Sequence, residues 1–491
     1  SRARAGRGAF AARRIESLVQ IDDAMRKTML LHSALLLPAV FVFWIAAYPE
    51  TMRWMEGVSY FSTLPDFLCL QVRYPSGALK YAGAFLLQFY HSPISGALLQ
   101  TLFAWVVMAC ADVAVRRIGR GRMAWAAFVP VAVFVALQGG YRDLEGALIW
   151  CLCSIAAAVA VCLAPRSKAA TFVGRSVWSV ALPCLLLAAG MASSLGCREF
   201  RVRERIHRVE RMAEEGRWSD ILSAVTPEVS AADPVLRRYA LLALTETGRL
   251  AEEAFRYGIT SADDMFFAGS ADVVGCNFNA LLAESLGLDN EAIHQSFQLN
   301  CLSTFGCSFR SWRRITDACL RQGYAELAEK YMRVLMHSTC HGGWVRSRVG
   351  ELSRIMAEPV SVSDDAVLTC ARNARPLLTD MACLFHARPD NRKCGDMLLC
   401  GLLASRDLDG FAELFPRVAG GAYSPSEGLP RHYEEALLLL SRRNPEILTM
   451  FRINPLRTKE FERFVESMDA DRRAQACAMY PDSFWAYMYG R

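Results

Sequence analysis

Five long apolar segments within the first 200 residues constrain the fold of this chain more than any other feature. They cover residues 28–48, 94–115, 123–141, 144–164 and 176–196. About 20 apolar residues in helical form are needed to cross the ~30 Å hydrocarbon layer of a bilayer, and each segment is close to that length. The sequence therefore predicts an all-α fold that begins with a transmembrane helix bundle of about five spans, in contact with the lipid bilayer.

A sixth apolar stretch, residues 78–90, is shorter and contains Lys80 and Gln88. Its length is typical of an interfacial or re-entrant helix, and a full span is the alternative interpretation. It lies within residues 49–93, which separate the first span from the second.

Basic residues in the short loops predict the orientation of these spans, because Lys and Arg accumulate on the cytoplasmic side. Residues 1–27 are also basic and are expected to form a cytoplasmic segment. With that orientation, loop 49–93 and all residues after 197 lie outside the cytoplasm. The cysteines of residues 198–491 favour the opposite location, the cytoplasm. Their spacing does not suggest a disulfide framework, and unpaired cysteines are typical of a reducing compartment. The basic residues in question are Arg116, Arg117, Arg120 and Arg122 in one loop, and Arg166, Lys168 and Arg175 in another.

Composition agrees with a chain made of two unlike parts. The whole chain is 53% hydrophobic and 21% charged, with a mean hydropathy of only +0.18. These averages combine the apolar region 28–197 with residues 198–491, which have the composition of an ordinary water-soluble domain. The net charge of +6 comes from 55 basic and 49 acidic residues. This excess is too dilute to indicate nucleic-acid binding.

A short sequence motif that recurs along the chain predicts helical repeats in the second part. Glycine ends one helix, a short polar or acidic stretch follows, and an Ala- and aromatic-containing helix begins. The motif starts at Gly216, Gly248, Gly287 and Gly323, with separations of 32, 39 and 36 residues. A looser copy starts at Arg406. Such spacing is typical of helix-turn-helix solenoids. We expect a TPR-like (tetratricopeptide-like) α-solenoid over residues 198–375, then further repeats and a C-terminal cap over 376–491; an irregular helical bundle is the alternative.

Enzymatic signatures are missing from the sequence. It contains no phosphate-binding Gly-rich loop with Lys, no His-Glu-x-x-His, no Gly-x-Ser-x-Gly and no Cys-x-x-Cys. Cys340 and His341 are residue types that can form a catalytic pair. Because they are adjacent in the chain, their side chains point apart, which argues against such a pair. We therefore expect no cofactor, no metal site and no catalytic residues.

The best place for a site is loop 49–93, because polar groups beside a bilayer often mark ligands or pathways. A solvated loop is the alternative interpretation. The candidate site residues are Glu50, Arg53, Glu56, Asp66, Arg73, Gln88 and His91.

The stretch from Arg73 to Ala97 contains Pro75-Ser76-Gly77, then Gln88-Phe89-Tyr90, and then Pro93 and Gly96-Ala97. It resembles a family of uncharacterised integral membrane proteins from Bacteroidota, with a multi-span front and a TPR-like back. Ser76 stands where that family usually has glycine. The resemblance implies no known reaction, but it implies a bacterial inner membrane, so that "outside" means the periplasm.

These observations predict a multi-pass inner-membrane protein. Its N-terminus would be cytoplasmic, and its TPR-like domain would bind a protein or peptide partner in the periplasm. The alternative is a membrane-bound, glycosyltransferase-like enzyme that acts on lipid-linked sugars through loop 49–93.

Overall fold

The computed structural model describes residues 26–118, 121–140, 143–164, 178–267, 272–304, 306–358, 377–422, 428–469 and 472–490. Within these ranges the chain is all-α, and no strand is formed. The described cysteines are free thiols. The structure divides into two compact units. The first extends to Arg205 and includes Met336–Gly343; the second comprises Ile206–Leu335 and Trp344–Arg491. The predicted boundary at residue 376 adjoins residues outside the described ranges and stays a prediction.

In the described part of the chain, the first unit contains eight complete helices, two short 3₁₀ turns and the start of a ninth helix. Proline stands in the first turn of α2, α3 and α5, where its missing N–H is not needed for helical bonding. Helix α5 packs on α7, and α6 packs on α8. The helices are α1 (Arg26–Ala47), α2 (Pro49–Gly57), α3 (Pro65–Val72), α4 (Gly77–Leu87), α5 (Pro93–Arg117), α6 (Phe128–Gln138), α7 (Glu145–Leu163) and α8 (Trp178–Gly196), with 3₁₀ turns at Gln88–His91 and Gly121–Ala127.

The structure corrects the predicted number of spans. Only α1, α5 and α7 are single helices long and apolar enough to cross a membrane, within the described residues. The predicted third span, 123–141, is too short: its apolar helical part is Met123–Gln138, in which a 3₁₀ turn runs into the 11-residue α6. The predicted fifth span meets the criterion only together with the following helix, from which it is bent by 65°. The count is therefore three, or four if that bent pair is one span. Residues 78–90 form α4 and a 3₁₀ turn, which are too short to span.

The structure describes some of the basic residues from which the membrane orientation was predicted. Arg116 pairs with Asp112 one turn earlier, with Nε and Oδ2 2.5 Å apart, and Arg117 donates to the carbonyl of Cys162 at 2.7 Å. The basic N-terminal residues up to 25, together with Arg120, Arg166, Lys168 and Arg175, lie outside the described residues. For Arg122 only the backbone is described.

Close helix contacts in the first unit depend on a glycine. A Cβ atom on Gly190 of α8 would lie 2.6 Å from the carbonyl oxygen of Ala132 in α6 and 2.9 Å from its Cα. No side chain fits into that gap without moving the backbone. Gly190 therefore permits α6 and α8 to approach backbone to backbone.

The remaining helices build the second unit, into which α9 continues from the first. They are α9 (Arg198–Glu214), α10 (Trp218–Ala224), α11 (Pro227–Ala232), α12 (Pro234–Glu246), α13 (Leu250–Glu253), α14 (Val273–Ser285), α15 (Asp289–Leu302), α16 (Phe309–Arg321), α17 (Ala325–Met336), α18 (Gly342–Ala357), α19 (Leu377–Ala387), α20 (Arg392–Ala404), α21 (Leu408–Ala422), α22 (Arg431–Ser441), α23 (Ile447–Met450), α24 (Pro455–Asp469), α25 (Arg473–Met479) and α26 (Phe484–Tyr489), with a 3₁₀ turn at Ala262–Met265.

The turns at the five predicted repeat positions share one backbone conformation. The residue at each predicted repeat position has a left-handed φ, and the N–H of the next residue bonds back to the carbonyl five positions earlier, at 2.8–2.9 Å. This is the Schellman ending of a helix, which favours glycine because a Cβ atom is strained there. The φ angles are 67° at Gly216, 68° at Gly248, 72° at Gly287, 79° at Gly323 and 60° at Arg406.

Aromatic side chains near the C-terminus complete the core of the second unit. Phe484 and Trp485 in α26 are fully buried. The Trp485 ring lies 5.2 Å from that of Phe461 and 5.6 Å from that of Phe464, measured between centroids, and its Nε1 donates to the carbonyl of Glu435 at 2.9 Å. The last helix is therefore an integral part of this unit.

Candidate functional site

A buried pair of ionisable side chains marks the most distinctive polar site of the first unit. Glu56 lies in the last turn of α2, and His341 lies in the segment Met336–Gly343. The Nε2 atom of His341 and the Oε1 atom of Glu56 are 2.6 Å apart, while only 5% of the histidine and 6% of the glutamate are exposed. A short hydrogen bond between such groups fixes the orientation of the imidazole ring.

The segment that carries His341 is held by polar side chains of the region 49–93. The Oε1 atom of Gln88 accepts hydrogen bonds from the N–H and the hydroxyl of Thr339, at 2.9 and 2.5 Å. The N–H and the hydroxyl of Thr63 both donate to the carbonyl of His337, at 2.9 and 3.1 Å. The stretch of chain that immediately precedes His341 is thus held in place.

A second polar cluster lies at the opposite end of α2. The carboxylate of Glu204 accepts the backbone N–H of Glu50 at 3.1 Å and that of Thr51 at 2.8 Å, together with the Thr51 hydroxyl at 2.7 Å. The residue that precedes α2, Tyr48, provides no side-chain cap. Glu204 therefore supplies the acceptors that the first amides of this helix lack.

The seven residues predicted for the site do not form one cluster. Glu50, Glu56 and Gln88 are buried, and Glu50 pairs with the partly exposed Arg53 at 3.5 Å. Glu56 and Gln88 contact the same segment, 336–343, whereas Glu50 lies beside Glu204 at the other end of α2. The remaining predicted residues, Asp66, Arg73 and His91, are exposed.

Sequence reasoning missed three contributors: His341, Thr339 and Glu204. His341 was considered only with its neighbour Cys340, which is exposed in the structure. Its partner, Glu56, lies 285 residues earlier in the chain. No local motif carries that information. The available signal in the sequence was the group of polar residues in loop 49–93. It indicated Glu56 but not its partner His341.

Comparison with known families covers almost the entire chain. A model for DUF6057, a family of unknown function, matches residues 25–197 and 197–491. The chain belongs to the DUF6057 family. No curated protein matches it, and no solved structure does. The expected membership of an uncharacterised family is therefore confirmed, while membership alone assigns no reaction to this DUF6057 protein.

The chemistry open to the buried pair follows from its two groups. An imidazole held by a carboxylate can accept or donate a proton at a fixed position, as in general acid–base catalysis. The same pair can also serve only to fasten the segment 336–343. Among the described residues, no group of three His, Cys, Asp or Glu side chains could hold a metal ion.

Proposed function

We propose that this DUF6057 protein is a membrane-anchored protein whose second unit binds another protein or a peptide. The membrane part of the proposal rests on apolar helix surface that the protein does not cover. In α7, only 11% of the most apolar 18-residue window is buried, and the corresponding shares are 28% in α1 and 39% in α5. Side chains such as Leu152 and Val159 are more than half exposed. Such surface is unfavourable in water and normal against lipid.

The single observation that supports partner binding is the repeated helix ending in the second unit. Five turns share the same left-handed backbone and the same back-bonded amide, at Gly216, Gly248, Gly287, Gly323 and Arg406. Proteins built from stacked helical hairpins present extended surfaces that suit other proteins or peptides. We therefore propose a TPR-like solenoid as the functional form of this unit.

The proposal also includes a location. The basic loops around Arg117 and Arg166 would lie in the cytoplasm of a bacterial cell, by the positive-inside rule. The second unit would then lie in the periplasm, on the far side of the inner membrane. The Bacteroidota resemblance of residues 73–97 supports the same assignment.

The test is photo-crosslinking of the full-length protein in intact cells. A benzoylphenylalanine residue replaces one exposed side chain of the second unit at a time: Phe297, Leu327, Val349 or Met450. At least one position should yield a specific protein adduct. Leu98 of α5, which is 56% exposed, is the matched control and should yield lipid adducts only. Protein adducts at none of the four positions would refute partner binding by this unit.

A second candidate function, an enzyme that acts on lipid-linked sugars, is favoured by one observation. The buried Glu56–His341 pair places a group capable of acid–base chemistry in the region 49–93. Glu56→Gln keeps the size of the side chain but removes its ionisable group, and the exposed Asp66→Asn is the matched control. If the Glu56 variant is made in normal amounts and leaves cell-envelope glycans and lipids unchanged, the enzyme interpretation fails.

A further inference from the structure

Three exposed arginines form a stripe along the first half of helix α9. Arg198, Arg201 and Arg205 are three and four residues apart, so that they lie on one face of the helix. Their side chains are exposed, and over the ranges that the structure describes none of the three forms an ion pair. At 1.5 Å per residue the stripe covers about 10 Å of helix length. This arginine stripe therefore presents three positive charges on one side of α9.

The opposite face of α9 is fixed to the first unit. The ring of Phe200 packs against Gly140 in the turn after α6, where a Cβ atom on the glycine would lie 2.9 Å from the ring. Arg203 donates to the carbonyl of Gly140 at 3.1 Å and pairs with Glu199 at 2.7 Å. Glu204 accepts the first amides of α2. These contacts set the rotation of the helix about its axis and occupy both nearby carboxylates, so the arginine stripe faces away from the first unit.

The stripe begins at the level where apolar helices end. The hydroxyls of Tyr48 and Ser194 are 2.9 Å apart and join the C-terminal ends of α1 and α8. Helix α8 ends at Gly196, two residues before the stripe begins, and its Leu195 is still 44% exposed. Since α9 is bent by 65° from α8, it runs nearer to the membrane plane than to the membrane normal when α8 stands upright. A bilayer around the apolar surface of α8 would therefore place its headgroups beside the arginine stripe.

The chemistry of the stripe fits the phosphate groups of lipids. Guanidinium groups bind phosphate oxygens through paired hydrogen bonds, and basic residues just beyond an apolar helix are attracted to anionic headgroups. An acidic soluble protein could also bind three arginines, but it would not require the exposed apolar surface that adjoins them at Leu195. The adjoining apolar surface therefore favours lipid as the ligand.

We propose that the arginine stripe binds the phosphate groups of anionic lipids and so holds the first half of α9 against the bilayer surface. The proposal rests on the membrane anchoring in the proposed function, because it names a lipid class and the residues that bind it. It does not depend on the side of the membrane on which α9 lies, nor on partner binding by the second unit.

Lipid titrations of the full-length, detergent-purified protein, followed by native mass spectrometry, test this assignment. The probes are phosphatidylglycerol, which is anionic, and phosphatidylcholine with the same acyl chains, which is not. Replacement of all three stripe arginines by glutamine should weaken phosphatidylglycerol binding about fivefold per arginine, or about a hundredfold together, and leave phosphatidylcholine binding and the thermal midpoint unchanged. The matched control removes the same charge from exposed positions of the second unit, through Arg346→Gln, Arg417→Gln and Arg463→Gln, and should bind both lipids as the wild type does.

The outcomes separate this assignment from the proposed function. Equal phosphatidylglycerol binding by the stripe variant and the control variant would overturn the assignment, as would binding of glycerol 3-phosphate alone with the affinity of the lipid. With benzoylphenylalanine in place of Arg201 in intact cells, lipid adducts are expected, and protein adducts instead would assign the stripe to an acidic partner. In each of these cases the membrane anchoring stands if the wild-type protein stays in membranes after alkaline carbonate extraction. If carbonate releases the wild-type protein, the anchoring and the lipid assignment both fail.

Discussion

Replacement of Gly248 by alanine isolates the backbone requirement of the repeat turns. Gly248 has a φ of 68°, and a Cβ atom built at this position would meet no other atom within 4 Å. Steric contact therefore contributes nothing, and the left-handed backbone alone costs an L-residue about 1–2 kcal/mol. Alanine also restricts the unfolded chain, which returns about 0.5 kcal/mol. We expect Gly248→Ala to lower the free energy of unfolding by about 1 kcal/mol.

Gly350 provides a control with the opposite sign. It lies inside helix α18, and a Cβ atom there would also meet open space. Because alanine is the better helix former, Gly350→Ala should raise the free energy of unfolding by about 0.5–1 kcal/mol. Pulse proteolysis of the full-length purified protein across a urea series measures both midpoints. If Gly248→Ala is neutral or stabilising, the left-handed turn at this repeat position is refuted.

Three further predictions concern packing and charge. Trp485→Ala should lower the free energy of unfolding of the second unit by about 3–5 kcal/mol, measured in the same urea series; a loss below about 1 kcal/mol would mean that α26 is not part of the core. Burial raises the pKa of the Glu435 carboxyl, but the hydrogen bond and charge of His432, the charge of Arg431 and the N–H of Phe484 together lower it more, so that the pKa lies below the ordinary 4.5. The resulting stability is present above pH 4.5 and is lost as the pH falls through the folded pKa; Glu435→Gln should flatten this acid limb of the unfolding midpoint, and an unchanged limb would contradict the argument. Gly190→Leu should force α6 and α8 apart and lower the thermal midpoint of the detergent-purified protein by an amount equivalent to about 1–3 kcal/mol, whereas an unchanged midpoint would exclude the close approach at Ala132.

Local sequence patterns predicted the elements that depend on local physics. The all-α class follows from apolar periodicity, and the repeat turns follow from glycine, since the four predicted glycines all adopt a positive φ. Arg406 also adopts a positive φ although it is not glycine, and it lies where the looser copy of the motif begins. The pairing of Arg116 with Asp112 was likewise predictable, because residues four apart on a helix are neighbours.

The number of spans was less predictable, since composition does not show where a helix breaks. Residues 123–141 are apolar enough for a span, but their helical part, Met123–Gln138, ends before it reaches the 18 residues that a single span requires. The candidate site was predictable only in part for a different reason. Glu56 lay in the predicted loop, but His341 is distant in sequence, and no pattern in one sequence reports which distant side chain a carboxylate meets.

The measurement that tests the central claim most directly is a pair of topology reporters in the full-length chain. One reporter follows Arg491, and the control reporter follows Ala170, in the loop predicted to be cytoplasmic. A membrane-anchored protein whose second unit is periplasmic predicts an active periplasmic reporter after Arg491 and an inactive one after Ala170, with the protein retained in membranes after alkaline carbonate extraction. An inactive periplasmic reporter after Arg491, or release of the protein from membranes by carbonate, would contradict the account.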